Sequence, residues 1–528
     1  MNKILCCSLL LLSTFLLLPG NLLAADPPIQ EVAPDKDFGM GPPATPAMAK
    51  AADAAVTKPM AGGPFQPTWA SVKENYRVPA WFNDAKFGLM MHWGAYSVPA
   101  YHNEWYEKHM YNAFSDWHVA HFGTQAKFGY KDFLPLFKNE KFNPDEWAEL
   151  FKKSGARYVV PTAEHHDNFA LWDSQVTPIN AKNIGAKRDL IGDLCVAVRK
   201  QGLKFGVSNH GIENFVFINP KPEIKAALEA QKADLYDPAW AEFYHVADRS
   251  DAATVRFLTD WVNRNLELID KYQPDVLWFD NGVNNRVYDP LKLRVAAYYY
   301  NSARAWNKEV TITTKKDAYA PDGNDAHQIG AIVDFEKVGS RSPAGIRTGP
   351  WQVDDPIGST WGYTSNMKVS GADTILFKLI DTVSKNGNYL LNLSPMADGT
   401  IPEAQKKTLL EIGQWLSVNG EAIYGTHNWV KFGEGEHGAQ NWRFTVKGDT
   451  LYAIALGWPK AKGGGDEAVI ASLGSNVPLN GKIEKVELLG SSSSLEFQQV
   501  SDGLHIKLPP KPQGSNEYTF KITGLKPQ

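Results

Sequence analysis

The chain has 528 residues, too many for one compact domain and enough for a large barrel with a smaller domain after it. Its 54 Lys and Arg stand against 58 Asp and Glu, a formal charge of -4 with a pI near 6.4, which gives no reason to expect nucleic acid or an anionic membrane as partner. Aromatic residues make up 12% of the chain and include 17 Trp, which suits sugar-binding pockets as well as ordinary cores.

Lys3 gives a short basic start, Ile4 to Leu18 is an apolar run, and Leu22-Leu-Ala-Ala25 follows it. Residues 1–25 therefore read as a secretory signal peptide, the apolar run being short for a bilayer span. An exported protein is expected, periplasmic or secreted, with no membrane attachment after cleavage. Cys6 and Cys7 fall inside this segment, so the mature chain keeps Cys195 alone and forms no intramolecular disulfide. Residues 26–68 are rich in Ala, Pro, Gly and Met without apolar periodicity and read as a disordered or loosely packed tether. Order is expected from Trp69, with a helix and turn over residues 71–82.

Short apolar strands then alternate with helix-length segments. Strands are predicted at residues 87–92, 157–162, 203–208, 275–280, 310–314, 332–335, 360–363 and 389–393. Helices are predicted at residues 143–151, with Asn143 as N-cap and Pro144 in the first turn, and at 189–200, 253–272, 290–307, 371–385 and 403–417. Continuous apolar strands separated by helices signal a parallel sheet covered by helices, and about eight units fit a (β/α)8 TIM-like barrel over residues 69–422. An open doubly wound sheet lacks the Gly-rich phosphate loop after its first strand. From residue 423 to 528 the texture turns to apolar–polar alternation rich in Gly and Ser, which predicts a C-terminal antiparallel β-sandwich. Its strands are expected at 442–446, 450–455, 483–489 and 504–508, with 461–465 as a mobile loop.

In such a barrel the active site lies at the C-terminal ends of the strands. The predicted ends deliver His92, then Glu104 and Trp105 in the following loop, then Glu164-His165-His166-Asp167, Asn209-His210, Asp280, Lys315-Lys316, Glu336 and Trp361. Asp280 follows the buried run Val276-Leu-Trp278-Phe and precedes Asn281-Gly282. A carboxylate fixed there suits attack on an anomeric carbon or stabilisation of an oxocarbenium ion, while the plainer reading is a turn Asp capping its neighbours. Adjacent histidines on a strand point to opposite faces, so His165 and His166 do not chelate one ion together, and neither metal nor cofactor is expected. Neutral imidazoles suit sugar hydroxyls better.

Several segments, in order, resemble the α-L-fucosidases of glycoside hydrolase family 29. They are Phe87-Gly-Leu-Met-Met-His-Trp-Gly-Ala-Tyr-Ser-Val-Pro-Ala100, Glu104-Trp-Tyr106, Glu164-His-His-Asp-Asn-Phe-Ala-Leu-Trp-Asp-Ser174, Arg188-Asp-Leu-Ile-Gly-Asp193, Pro274-Asp-Val-Leu-Trp-Phe-Asp280 and Asn388-Tyr-Leu-Leu-Asn-Leu-Ser-Pro-Met-Ala-Asp-Gly-Thr-Ile-Pro402. The resemblance implies a retaining exo-glycosidase that removes terminal α-L-fucose from a fucosylated glycan. It implies Asp280 as nucleophile, and His92, Glu104, Trp105, His165 and His166 as contacts to the sugar. Trp278 and Trp361 would line the pocket, with Lys315 or Lys316 near the ring. Relatives often carry a Tyr where this chain has Asn209-His210, which leaves the contacts of His210 open. The acid/base varies in position within the family. Glu336 resembles a recurrent Glu, and Gln352 stands where some relatives have one, which leaves Glu336, Asp354 or Asp355. Two other readings remain open: a related or sulfated sugar, such as an α-L-galactoside or a sulfated fucan fragment, and an inactive fucose-binding protein. Linkage, acceptor sugar and oligomeric state are not legible.

Overall fold

The computed structural model describes residues 40–435, 440–459, 466–491, 493–512 and 517–527. The segments read as signal peptide and as the 461–465 loop lie outside them, as do residues 26–39 of the tether.

Eight parallel strands close into a barrel in chain order. They are β1 (Phe87–Met91), β2 (Tyr158–Glu164), β3 (Lys204–Asn209), β4 (Val276–Phe279), β5 (Thr311–Lys315), β6 (Ile332–Glu336), β7 (Trp351–Pro356) and β8 (Gly387–Leu393). Their residues are almost all buried, because side chains fill the barrel on one face and helices cover the other. Met90, Tyr158, Val160, Val276, Trp278, Ile332 and Leu390 make the apolar interior, and Phe82 from the helix Ala80–Ala85 joins them. The outward-facing strand residues pack against a ring of helices that includes Asp251–Tyr272, Asp289–Ala305 and Ala372–Ser384.

Two expectations are corrected. The seventh strand is Trp351–Pro356, not residues 360–363, which stay in the loop after it. β7 hides because its alternate residues meet polar partners on both faces. Gln352 Oε1 accepts from Tyr158 Oη (2.7 Å) and Asp354 accepts from Lys315 inside the barrel, while Asp355 Oδ2 accepts from Tyr389 Oη (2.9 Å) and from Lys378. The second correction concerns the tether. Residues 46–55 form a helix, Pro46–Ala55, N-capped by Thr45 and seated on the helices Asp251–Tyr272 and Asp289–Ala305. Ala49 and Ala52 are fully buried, and Arg294 Nε binds Asp53 Oδ1 at 2.5 Å. Alanine has the highest helix propensity, and a face of methyl groups lets helices approach closely without any large apolar residue to mark it.

The C-terminal region forms two antiparallel sheets, as expected of a sandwich. Its strands are β9 (His427–Glu434), β10 (Trp442–Lys447), β11 (Thr450–Leu456), β12 (Glu467–Ile470), β13 (Gly481–Leu488), β14 (Phe497–Val500), β15 (Gly503–Lys507) and β16 (Glu517–Leu525). The sheet orders are β13-β16-β11-β10-β9 and β12-β15-β14. Asp381 ties this region to the barrel. Its carboxylate takes Arg443 Nε from β10 at 2.7 Å and Lys385 Nζ at 2.6 Å, and Trp415 Nε1 donates to Glu517 O at 3.0 Å. Cys195 is buried and free.

Candidate active site

Asp280 is the first residue past β4 and turns inward at the C-terminal mouth of the barrel. Gly282, at φ +81°, makes the turn behind it; a Cβ there would lie 2.8 Å from Ile212 Cγ2 and 2.9 Å from Glu213 Cγ. Asp280 Oδ2 accepts a hydrogen bond from His210 Nδ1 at 3.1 Å and lies 3.6 Å from His166 Nε2. Asn281 Nδ2 donates to Oδ1 at 3.3 Å. The carboxylate is 14% exposed. Burial alone would raise its pKa, but the His210 hydrogen bond and the nearby His210, His166 and Lys315 outweigh burial and hold the carboxyl well below the usual range. It is ionised at any working pH, as a nucleophile requires.

Four imidazoles surround it. His92, just past β1, lies 5.3 Å from His165 and 5.1 Å from His210 by ring centroid. His165 and His166 are 4.4 Å apart and both face the pocket. The opposite-face expectation is thereby corrected: β2 ends at Glu164, and strand alternation no longer applies beyond it. Burial is the main cause that pushes His92 and His166 down to about 3 and His165 well below its ordinary value. These three rings are neutral at working pH. Asn392 sets the tautomer of His92. Its Nδ2 donates to Trp361 O (2.8 Å), so its Oδ1 accepts from His92 Nδ1 (2.7 Å) and His92 N (2.9 Å). Nε2 of His92 is then an acceptor for a ligand hydroxyl.

Trp361 lies on the loop after β7, half-buried, 5.2 Å from His92 by ring centroid. Glu104 holds that loop, since its Oε2 accepts from Trp361 N at 3.2 Å and Gly362 N at 3.1 Å. Burial raises the Glu104 carboxyl. Trp105 stands edge-on to His166 at 6.1 Å and to Phe217 at 5.7 Å, and Phe217 stacks on His166 at 4.8 Å. Trp278 is fully buried beneath these rings, 4.9 Å from His210. Its Nε1 donates to Asp334 Oδ2 at 2.7 Å.

Lys315 closes β5 with its ammonium buried, hydrogen-bonded to Asp354 and 5.3 Å above the Trp278 ring. Burial disfavours its charge, but Asp334, Asp354, Asp280 and Glu336 around it keep it protonated well above the ordinary lysine value. Lys316 is exposed at the rim. Glu336 ends β6, in register with Asp354 on β7, and its Oε2 takes Arg341 Nη1 at 2.8 Å. Asp354 is buried and accepts from the Lys315 ammonium. Asp355 points outward to Lys378 and Tyr389, away from the pocket.

Sequence reasoning passed over Asn392, Asp334 and Phe217. For the first two a signal existed: each is a polar residue inside an otherwise apolar strand run. Two triads have the spacing to hold a cation, His92–His165–His210 and His166–His210–Asp280. Both use His210, whose Nδ1 meets Asp280 and whose Nε2 lies 3.2 Å from Ser208 Oγ. An ion would have to displace those contacts, whereas hydroxyl groups fit among them.

The family model for α-L-fucosidase matches residues 52–421, and the model for the α-L-fucosidase C-terminal domain matches residues 436–523. The chain belongs to the α-L-fucosidase family. Bovine tissue α-L-fucosidase is 32% identical over 482 residues, which span 88% of this chain and 92% of the bovine one. Human tissue α-L-fucosidase is 30% identical over 481 residues, 88% and 92% of the two chains. The crystal structure of Thermotoga maritima α-fucosidase in complex with fucose matches with a TM-score of 0.68 at 31% identity, over 87% of this chain and all of that one. The α-L-fucosidase fold thus carries glycoside hydrolase chemistry here, on a barrel and sandwich shared with those relatives.

A second acidic group lies close by. Glu107, three residues past Glu104, is fully buried, and neither of its carboxyl oxygens has a hydrogen-bond partner among the described residues. Burial, with Asp167 and Asp234 adding to it, raises its pKa well above the ordinary value. Burial also pushes Asp167 up to about 7 and Asp234 up to about 6. A carboxyl whose folded pKa exceeds its unfolded one stabilises the fold below the unfolded pKa, and that contribution is lost as pH rises. Thermal stability should therefore decline as pH rises from about 4.5 to 7 through these groups. Glu107→Gln should remove up to about 1.4 kcal/mol per pH unit of that slope. Denaturant midpoints at pH 5, 6 and 7 check this; parallel profiles for variant and wild type would contradict it.

Proposed function

We propose that the pocket takes one terminal α-L-fucosyl unit and hydrolyses it with retention of configuration, Asp280 acting as nucleophile and Glu336 as acid/base. The observation that carries this is the order of side chains on three consecutive strands: Asp280 after β4, Lys315 on β5 and Glu336 on β6. Neighbouring strands lie about 4.8 Å apart, so β4 and β6 stand about 10 Å apart at the backbone. Two carboxyl side chains reaching inward across that gap suit the roughly 5–5.5 Å separation of a retaining pair.

In the first step an Asp280 oxygen bonds to C1 while the C1–O bond to the leaving group breaks. Glu336 passes its proton to the departing oxygen. In the second step Glu336 takes a proton from water, whose oxygen bonds to C1 as the Asp280 ester breaks. L-Fucose leaves, and both carboxyl groups return to their starting states. Neutral His92, His165 and His166 hold hydroxyls by donating or accepting. Trp361 and Trp105 provide apolar walls for the ring face and the C6 methyl group. Lys315 stabilises negative charge on both carboxylates and alternates with them in sign.

A fucosylated oligosaccharide or glycan is the substrate class, met outside the cytoplasm if residues 1–25 direct export. The Lys315 ammonium is already committed to Asp354 and Asp334 and so gives no support of its own to the sulfated-sugar alternative. Proton NMR of the first-formed product tests the reading. Early accumulation of α-L-fucose ahead of mutarotation is expected; early β-L-fucose would overturn retention, and with it the nucleophilic role of Asp280.

A further inference from the structure

A cavity of about 500 Å³ lies on the helix side of the barrel mouth. The helix Asp251–Tyr272 gives one wall through Ala253, Phe257, Asp260, Trp261 and Arg264, whose three- and four-residue spacing puts them on one face. The loop after β2 adds Pro178 and Ile179, and the long connection after β3 adds Phe243. None of His92, His165, His166, His210 or Asp280 lines the cavity. It lies behind them. Glu164 and Gly211 belong to its lining, and they adjoin His165 and His210 in the chain. Trp261 packs at 5.7 Å on the ring of Phe279, which precedes Asp280. The volume falls within the roughly 300–1,000 Å³ of small-molecule sites.

The walls are fixed to one another. Asn168, at φ +56°, donates through Nδ2 to Glu242 O and Phe243 O, both at 3.0 Å, and its Oδ1 accepts from Arg264 Nη1. Arg264 Nη1 also binds the Glu164 carboxylate. Three polar groups on the helix wall are nevertheless unmet. Trp261 is 3% exposed, and its Nε1 has no hydrogen-bond partner among the described residues. Arg264 Nε is likewise buried and without a partner. Asp260, half-buried one residue before Trp261, accepts no hydrogen bond from a described residue. Buried polar groups are nearly always paired, so two orphan donors on the wall of a cavity point to a ligand that meets them.

We propose that this cavity is a second carbohydrate site, separate from the fucosyl pocket, which binds one neutral pyranose. Trp261 Nε1 and Arg264 Nε are donors and require oxygen acceptors. Anionic oxygens are disfavoured, because Arg256 and Arg264 stand among Glu164, Glu242, Asp248 and Asp260, two charges against four. Both guanidinium groups are also engaged: Arg264 with Glu164, and Arg256 with Asp248 at 3.2 Å and Glu242 at 3.8 Å. An ammonium group would gain from the acidic excess but would leave both orphan donors unmet. A hydroxyl group serves both kinds of partner, since it accepts from Trp261 or Arg264 and donates to Asp260. Phe243, Phe257, Pro178 and Ile179 offer apolar surface beside these groups. A hydroxyl edge next to a C–H face is the surface of a neutral pyranose, and a mainly apolar lining with a few placed polar groups matches it.

Isothermal titration of the full chain with the methyl β-glycosides of D-galactose, D-glucose and N-acetyl-D-glucosamine tests the site, none of the three being a fucoside. At least one should bind, at one site per chain, below about 50 mM. Ala239→Trp, at the exposed mouth of the cavity, and Asp260→Ala should each weaken that binding about tenfold or more, and Trp261→Phe, which keeps the ring and removes the N–H, severalfold. Circular dichroism spectra that match the wild type identify the variants that keep the fold. Methyl β-D-glucuronide, an anion of the same shape, should bind about tenfold more weakly than the neutral sugar. No binding by any of the three glycosides, or binding untouched by both Ala239→Trp and Asp260→Ala, would overturn the site. Equal or tighter binding of the glucuronide would overturn its choice of a neutral ligand. The titration needs no turnover, so a wild type inactive on an aryl α-L-fucoside would overturn the fucosidase reading and leave this site standing.

Discussion

Asp280→Gly is expected to lower kcat on an aryl α-L-fucoside by about 10⁴-fold or more, the usual scale for losing a covalent nucleophile. Sodium azide should restore much of the lost rate, and the product should be β-L-fucosyl azide. The physical reason is that glycine leaves a hole where the carboxylate stood, open to the pocket and facing C1 from the side opposite the leaving group. A small anion can occupy it and attack from that side, giving the inverted azide. His210 and His166, which now hold the Asp280 carboxylate, would flank the anion. The strand pairing of β3, β4 and β5 should survive, because Asp280 lies past the end of β4. Azide without effect on rate or product would place the nucleophile elsewhere.

Glu336→Ala should separate substrates by their leaving groups. On natural oligosaccharides, whose departing oxygen needs a proton, a loss of about 10²–10⁴-fold is expected. On an aryl fucoside with a highly acidic phenol the first step needs little proton assistance, and the loss should be far smaller. Arg341 sets no barrier to this role. Its guanidinium is 62% exposed, and an exposed pair of this kind contributes at most about 1 kcal/mol, so substrate binding can displace it. The alternatives differ in what they already hold. Asp355 is tied to Lys378 and Tyr389 on the outer face of the barrel. Asp354 supports Lys315 from inside, so Asp354→Asn should depress both substrate classes alike. Equal losses for Glu336→Ala on both classes would remove it from the acid/base role.

Where the barrel obeys the simple rule of apolar strands under helices, its elements are legible residue by residue. β1, β2, β4 and β8 stand within two residues of their expected bounds, and the strand ends that carry His92, His165, His166, His210, Asp280, Lys315 and Glu336 come together at one mouth. What stayed hidden has physical causes. β7 carries Gln352, Asp354 and Asp355 because the barrel interior near Lys315 is polar, and a strand serving a buried ion cluster does not read as apolar. The helix Pro46–Ala55 packs through alanines, whose methyl groups produce no conspicuous periodicity. In the C-terminal region β9 has one largely exposed face, and β12 and β14 have four residues each, too few for a pattern. The pairing of His165 with His166 depended on where β2 stops, and composition says nothing about that boundary.

The central claim is that Asp280 forms the covalent bond to fucose, and chemical trapping tests it most directly. A 2-deoxy-2-fluoro-α-L-fucosyl fluoride slows both steps, the second more, so the glycosyl–enzyme ester accumulates. Digestion and mass spectrometry of the inactivated protein should place a single fluorofucosyl group on the carboxyl of Asp280, in the peptide that contains Trp278 and Asn281. A label on any other carboxylate, or turnover with no ester at all, would contradict the account.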